Sequence, residues 1–535
     1  MGTFARSRER SGAEAQTMRL RTTLLVVFLL GTAQIAAAQD ARAVLQAAAA
    51  AMGTANLRSV RYDASGFGTY FGQSYAADAD WPRFEVSNYT RTIDYPSQSS
   101  VETYARRQGN YPARGGGPRP IQGLVTSILN GGYAWTVDGA TATPAPQTTE
   151  MRQVEILMTP HGFIKAAMAA ANPTAASFVV AGTSEVGQTS GGRRMTVVSF
   201  IALGKYRVNG TINDQNLVEL VQTWLPNPVL GDMLYEMRST DFKDFGGIKL
   251  PTFHHLHLGN FRLNQGHDYM EIRLANVQPN VAVMPPAVPE AVRQATVPPV
   301  RVEMQRLADG VWLAGGGTHN SVVVEFRDFV AIVEAPLNEE RSLAVVREVQ
   351  NRLPTKPIKF VVNTHHHFDH LGGLRTYVAE GATVVTAQAN KEFYQDVVLY
   401  PAPRTVQPDR LSTYYPFFVN ARREAIETVN VRQKYVLSDG VRTLELLPVE
   451  GLEHSAGMLM AYLPNEKLLI NADLYSPPAP GAQPPTSPTP SMVTLNDNIK
   501  RLKLDVRQHV PIHGRPGTME EFTKIVDTAV LSRAN

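Results

Sequence analysis

At 535 residues the chain exceeds one ordinary domain, and a hydrophobic content of 43% supports sizeable cores and excludes wholesale disorder. The formal charge of +3 resides in the first 38 residues, which hold five arginines against two glutamates; the remainder is near neutral and has no long basic run, so nucleic acid is not an expected partner. Cysteine is absent, which excludes a disulfide framework and thiolate ligands, so any metal must be held by histidine and carboxylate.

From Met18 the chain reads MRLRTTLLVVFLLGTAQIAAAQD: a basic start, a short apolar stretch, then Ala36 and Ala38 in an A-x-A pattern. This predicts a secretory signal peptide cut after Ala38, behind an upstream extension, and export to the bacterial periplasm. An uncleaved anchor is the alternative, although the apolar stretch is short for a spanning helix.

Residues 39–283 predict a β-rich accessory domain, opened by the helix ARAVLQAAAAAMG and continued by alternating runs such as RMTVVSFIA, LVELVQTWL and TFHHLHLGNF. The stretch YEMRSTDFKDFGGIKLP resembles the strand, turn and strand of half-barrel lipoprotein-carrier and envelope-sensor domains, which implies an apolar or lipid ligand there. The loop RRQGNYPARGGGPRP (106–120) reads either as an anion grip or as a solvated loop. His255 and His257 share a strand face beside His254, and with no third ligand nearby in sequence all three read as ordinary strand residues. The proline-rich segment 284–300 predicts a linker to a second domain, 301–535.

That domain opens with alternating strands ending near Glu334. The apolar run IKFVVNT then leads into HHHFDHLGG, four histidines and one aspartate within six positions at a strand's C-terminal edge, where α/β folds place their sites. Alternation sends His365 and His367 to one side and His366 to the other, while Asp369 and His370 fall on the turn entering a helix. This layout serves two points in space, that is, a two-metal site. Downstream, His454 lies in a polar turn, Asp473 ends an apolar strand, and His513 ends another before a glycine and a helix. The aromatic, proline-containing insertion 391–430 is a candidate substrate wall. The loop 476–491 is a candidate rim.

The HxHxDH signature at His365 to His370, followed by His, Asp and His in that order, resembles the metallo-β-lactamase-fold hydrolases over roughly residues 301–535. The resemblance implies an α/β fold, specifically an αββα sandwich with metals at one edge of its sheets. It implies a first metal on His365, His367 and His454, a second on Asp369, His370 and His513, and Asp473 bridging both. It assigns no ligand role to His366. Glu334 stands where that family commonly has an aspartate supporting the ligand loop. Two divalent ions are expected, zinc or else iron or manganese. The expected activity is metal-dependent hydrolysis of a small molecule by a metal-bridging hydroxide, at an ester, lactone, thioester or related bond, with Asp369 orienting that hydroxide. Carbonyl and phosphoryl centres both remain open. Asp473, where lactamase branches carry cysteine or serine, makes β-lactamase the alternative. A carrier or sensor of apolar ligands with a non-catalytic metal domain is the other. Tyr475 either donates to an oxyanion or packs in the core. Nothing in the sequence indicates an oligomeric state.

Overall fold

The computed structural model describes residues 40–117, 124–183, 189–260, 265–400, 402–414, 425–483 and 485–533. The expected signal peptide and upstream extension lie outside these residues, as do parts of the loop 106–120, the insertion 391–430 and the loop 476–491. Among the described residues no helix is long and apolar enough to cross a membrane.

The N-terminal half folds around one 13-stranded antiparallel sheet, in which the first long strand, Ser59–Thr69, pairs with the last, Gln265–Pro279. The helix Ala41–Met52 forms as its composition predicts. Asp40 caps it by accepting from the Arg42 amide at 2.9 Å, Gly53 ends it with φ 67°, and Val44, Leu45, Ala48 and Met52 form the buried stripe. Together with Pro160–Ala169 it covers the sheet, and Leu45, Met52, Phe163 and Ile164 fill the interior.

The C-terminal half is the expected αββα sandwich. A seven-stranded sheet from Glu303–Ala308 to Ile426–Val429 faces a six-stranded sheet from Tyr435–Ser438 to Gly517–Thr518. Between them lies an aliphatic core including Val322, Val333, Val362, Leu444, Ala461 and Ile470. The helices Glu339–Arg352 and Leu374–Ala379 back the first sheet. Pro490–Leu502 and Met519–Arg533 back the second.

The two halves are not merely tethered. One apolar cluster runs from Leu45, Phe163 and Leu230 through to Val345, Leu374 and Tyr394. At its edge Arg404 donates to the Asn227 and Val229 carbonyls, each at 3.1 Å, and Asp232 accepts from the Thr405 amide. The linker segment takes part too, since Val292 of the short helix Glu290–Gln294 is buried against Ile128 and Trp135.

Candidate metal centre

Every expected ligand sits just beyond the end of a strand of the sandwich. Ile358–Val362 delivers His365, His367, Asp369 and His370, Leu468–Asn471 delivers Asp473, and Gln508–Pro511 delivers His513. His454 arrives on the loop between Thr443–Pro448 and Leu459–Leu463. The structure gathers these into two groups. One is His365, His367, His454 and Asp473; the other is Asp369, His370, His513 and an additional residue, His319. His319 had escaped the sequence reading, although it obeys the same rule of lying at a strand edge, in GGGTHN just before Ser321–Glu325.

Asp473 stands between the groups. Its Oδ2 lies 2.9 Å from His454 Nε2, 3.4 Å from His365 Nε2 and 3.1 Å from His370 Nε2, while its Oδ1 lies 2.9 Å from His513 Nε2. Asp473 and Glu334 both hold left-handed backbone, φ 58° and 74°, which non-glycine residues adopt at a cost and which clusters at functional sites.

In four of the imidazoles one nitrogen faces the centre while the other is tied outside it, the arrangement that fixes tautomer and ring orientation around metals. His370 Nδ1 donates to Glu334 Oε2 at 2.9 Å, His513 Nδ1 to the Thr318 carbonyl at 3.2 Å, and His367 Nε2 to the Ser74 carbonyl at 2.9 Å. His365 Nδ1 lies 3.0 Å from Thr364 Oγ1. That leaves His365 Nε2 and His367 Nδ1 inward, 3.0 Å apart. His454 Nε2 is buried, close to Asp473 but misaligned for a hydrogen bond, so it is an orphaned donor-acceptor site aimed at the centre. Two all-nitrogen-and-oxygen groups with an orphaned nitrogen and a shared carboxylate fit a pair of borderline divalent ions.

Electrostatics separate the ligands. Burial pushes His365 down to about 3 and His367 well below its ordinary value, keeping both neutral as ligands must be. Burial also acts to lower His370, but the negative charges of Asp473 and Glu334 outweigh it and hold that ring well above the ordinary histidine value, so they favour at Nε2 a positive charge that a bound cation would supply in place of the proton. In Asp473 burial is likewise outweighed, here by His370 and by hydrogen bonds from His365 and His370, and the carboxyl falls well below its usual range.

Glu334, fully buried, accepts from the Thr364 amide at 2.6 Å, Asn363 Nδ2 at 3.2 Å and His370 Nδ1. The longer glutamate therefore reaches the ligand loop. His366 points the other way, with Nε2 2.9 Å from the Ser74 carbonyl and Nδ1 3.4 Å from Ser455 Oγ.

The N-terminal half completes the site. Gln73 Nε2 donates to Asp369 Oδ1 at 2.8 Å, leaving Oδ2 beside His319 Nε2 at 3.2 Å. The pocket over the centre, about 390 Å³, is lined by Tyr70, Phe71, Gln73 and Gly117 from one half and Asp369, His454, Asp473 and His513 from the other. None of the described residues of the insertion 391–430, expected as the wall, lines this pocket; residues 401 and 415–424 of it, with Tyr415, Phe417 and Phe418, lie outside the described residues. Tyr394 of the insertion packs beneath the ligand loop, where it donates to Asn363 Oδ1 and to the His365 carbonyl at 3.1 Å. No described residue of the loop 476–491, expected as the rim, lines the pocket either; the Pro478 carbonyl accepts from Arg515 at 2.9 Å on the side of the last helix. Nor does the loop 106–117 present its amides to an anion, because Gly115 donates to the Glu453 carbonyl, Gly116 to that of Gln73, and Arg114 pairs with Glu453. The oxyanion option for Tyr475 is corrected as well. Its ring packs against His509 and Phe522 at 5.2 and 4.8 Å, 2% exposed, and burial raises its hydroxyl to about 12.

Residues 314–507 match the family model described as the metallo-beta-lactamase superfamily. Solved structures similar to the chain include a metallo-beta-lactamase from Pontibacter korlensis, 18% identical with a TM-score of 0.31, covering 43% of this chain and 98% of that one. Another is from Hirschia baltica, 17% identical with a TM-score of 0.30, covering 44% of this chain and 98% of that one. A third is FIM-1 from Pseudomonas aeruginosa in its mono-zinc form, 17% identical with a TM-score of 0.30 and coverages of 44% and 98%. No curated protein matches the chain.

Proposed function

We propose, from the superfamily match over residues 314–507 and the αββα fold that carries it, that the chain is an exported binuclear metal-dependent hydrolase of small carbonyl substrates, an ester, lactone or thioester. The observation that carries the reading is Asp473, whose Oδ2 lies among His454, His365 and His370 and whose Oδ1 meets His513, so that one carboxylate touches both ligand groups. His365, His367, His454 and Asp473 would hold one ion; Asp369, His370, His513 and the other oxygen of Asp473 would hold the second, with His319 Nε2 beside Asp369 Oδ2. Such ions, zinc or else iron or manganese, supply Lewis acidity and make water nucleophilic near neutral pH.

The chain's own groups do the rest. Asp369 tends upward through burial, but the His319 hydrogen bond and the His370 charge bring it below its usual range, so it stays ionised and orients water as an acceptor. Gln73 fixes its angle. Tyr70 and Phe71 offer an aromatic wall for an apolar substrate group and exclude water beside the centre. None of the described lining residues is lysine or arginine, which favours a neutral carbonyl centre over an anionic phosphoryl one.

The test is metal analysis of the purified full chain followed by a panel of lactone, thioester, phosphodiester and β-lactam substrates. Two ions per chain with lactone or thioester turnover is the expected result. Turnover confined to the β-lactam selects that alternative, and a metal-free protein carrying lipid would overturn the hydrolase reading. Export is tested separately: protein recovered from the periplasm should begin at Gln39.

A further inference from the structure

The strand Phe253–Asn260 turns His254, Leu256 and Leu258 into the N-terminal core and His255 and His257 onto the opposite, partly exposed face. Sequence proximity offered no third ligand, but strand pairing does. The neighbouring strand Gln265–Pro279 sets Asp268 directly across from His257, after a register shift between Leu256 and His257. Nε2 of His255 and Nε2 of His257 converge on the same oxygen, Asp268 Oδ1, at 2.9 and 3.1 Å, with the rings 4.3 Å apart. These separations are close to those between ligands sharing one small ion with bonds of about 2.0–2.2 Å.

A second observation comes from the other side of His257. Its Nδ1 lies 3.2 Å from Oε1 of Glu236, a carboxylate only 2% exposed on the strand Gly231–Thr240. A neutral imidazole has one N–H, so His257 cannot donate to Asp268 and Glu236 together. A cation at Nε2 resolves the conflict: Nδ1–H donates to Glu236, the ring is oriented, and Nε2 is left as a ligand, as is usual for metal-bound histidine.

We propose that His255, His257 and Asp268 form a third divalent-metal site of the zinc class, on the face of the N-terminal sheet, with Glu236 positioning His257 and the fourth position open to solvent. The ion ties two adjacent strands. It also reaches the chain entering the sheet after the loop that carries Gln73, because Asp268 Oδ2 pairs with Arg83 at 3.2 Å. Arg238 Nε likewise lies 2.6 Å from Glu236 Oε1. Both carboxylates are thus already balanced by arginine, so this site holds its ion more weakly than the C-terminal centre and releases it first to a chelator.

The test compares zinc per chain, by elemental analysis after dialysis against buffered zinc, in the unsubstituted full chain and in a His255→Ala/His257→Ala double variant. Asp268→Asn, nearly isosteric, serves as a second variant should the first fail to fold. The expected result is one zinc equivalent fewer in either variant, with turnover of the C-terminal centre unchanged. Equal zinc content in folded variant and unsubstituted protein overturns the proposal and leaves His257 as a hydrogen-bonded neighbour of two carboxylates. Because the reading is a difference, it is independent of how many ions the C-terminal centre holds.

Discussion

Two histidine groups in this molecule are built from similar side chains and differ in everything around them. At the strand edge of the sandwich, His365, His367 and His370 are fully buried, and a shared aspartate stands among them. On the N-terminal sheet, His255 and His257 are part exposed, meet one aspartate oxygen, and have arginines alongside. The contrast teaches that the residue pattern nominates ligands, while burial, the tying of the outer nitrogens and the local charge balance set how strongly and to what end an ion is held. The first group opens into a pocket with two walls from two halves of the chain.

The largest effect that would break this contrast is on the support of the buried group. Glu334→Ala removes a buried carboxylate with three partners and strands Asn363 Nδ2, the Thr364 amide and His370 Nδ1. The expected loss is about 3–5 kcal/mol of unfolding free energy, read from denaturant midpoints, together with loss of metal. A midpoint unchanged from the parent would show that the ligand loop holds itself.

Next is Gln73→Ala, which frees Asp369 Oδ1. Removing such an outer tie is expected to reduce metal affinity or turnover about 10–100-fold without a comparable change in stability. Gly116→Ala approaches the same contact from another side. The added methyl would fall 2.1 Å from Gln73 Oε1 and 2.6 Å from His367 Cε1, so the same readouts should move in the same direction. If both variants match the parent in metal content and turnover, the N-terminal wall is only packing.

Smaller is the acid response of buried histidines that belong to neither group. Burial lowers His161 and His509 to about 4 and His254 to about 3. Their folded values lie below the unfolded value near 6.5, so the unfolded chain binds more protons in that interval. Stability is full above pH 6.5 and falls as pH drops toward 4 and then 3, each group contributing a slope approaching about 1.4 kcal/mol per pH unit. Melting temperature against pH, with His161→Gln flattening part of the slope, checks the sign. The smallest effect is expected for His366→Ala: both ions stay, and about 1–3 kcal/mol is lost with its hydrogen bonds.

Much of the sandwich, and which histidines and aspartates meet at its edge, was legible in the sequence because each of those residues follows an apolar strand, and strand ends are marked locally. His319 obeyed the same rule but stood alone, without a neighbouring histidine to draw notice. Asp268 was hidden because its meeting with His257 depends on a cross-strand register with a shift in it, which periodicity does not encode. The roles of Gln73 and Ser74 were hidden for a stronger reason. They lie nearly 300 positions before the residues they hold, in a loop whose composition carries no sign of its destination. Tyr475 shows the reverse case: alternation left two faces open, and only the helix carrying Phe522 decides between them.

Under the proposed function Asp473 is shared between two ions. Replacing it with asparagine keeps its shape but removes the one negative charge standing between the two groups, so repulsion between the ions rises. Metal content and turnover of Asp473→Asn, measured together, give the most direct test. Loss of one ion and a fall in turnover of about a hundredfold or more are the expected result. Full occupancy of both C-terminal sites with undiminished turnover would contradict it.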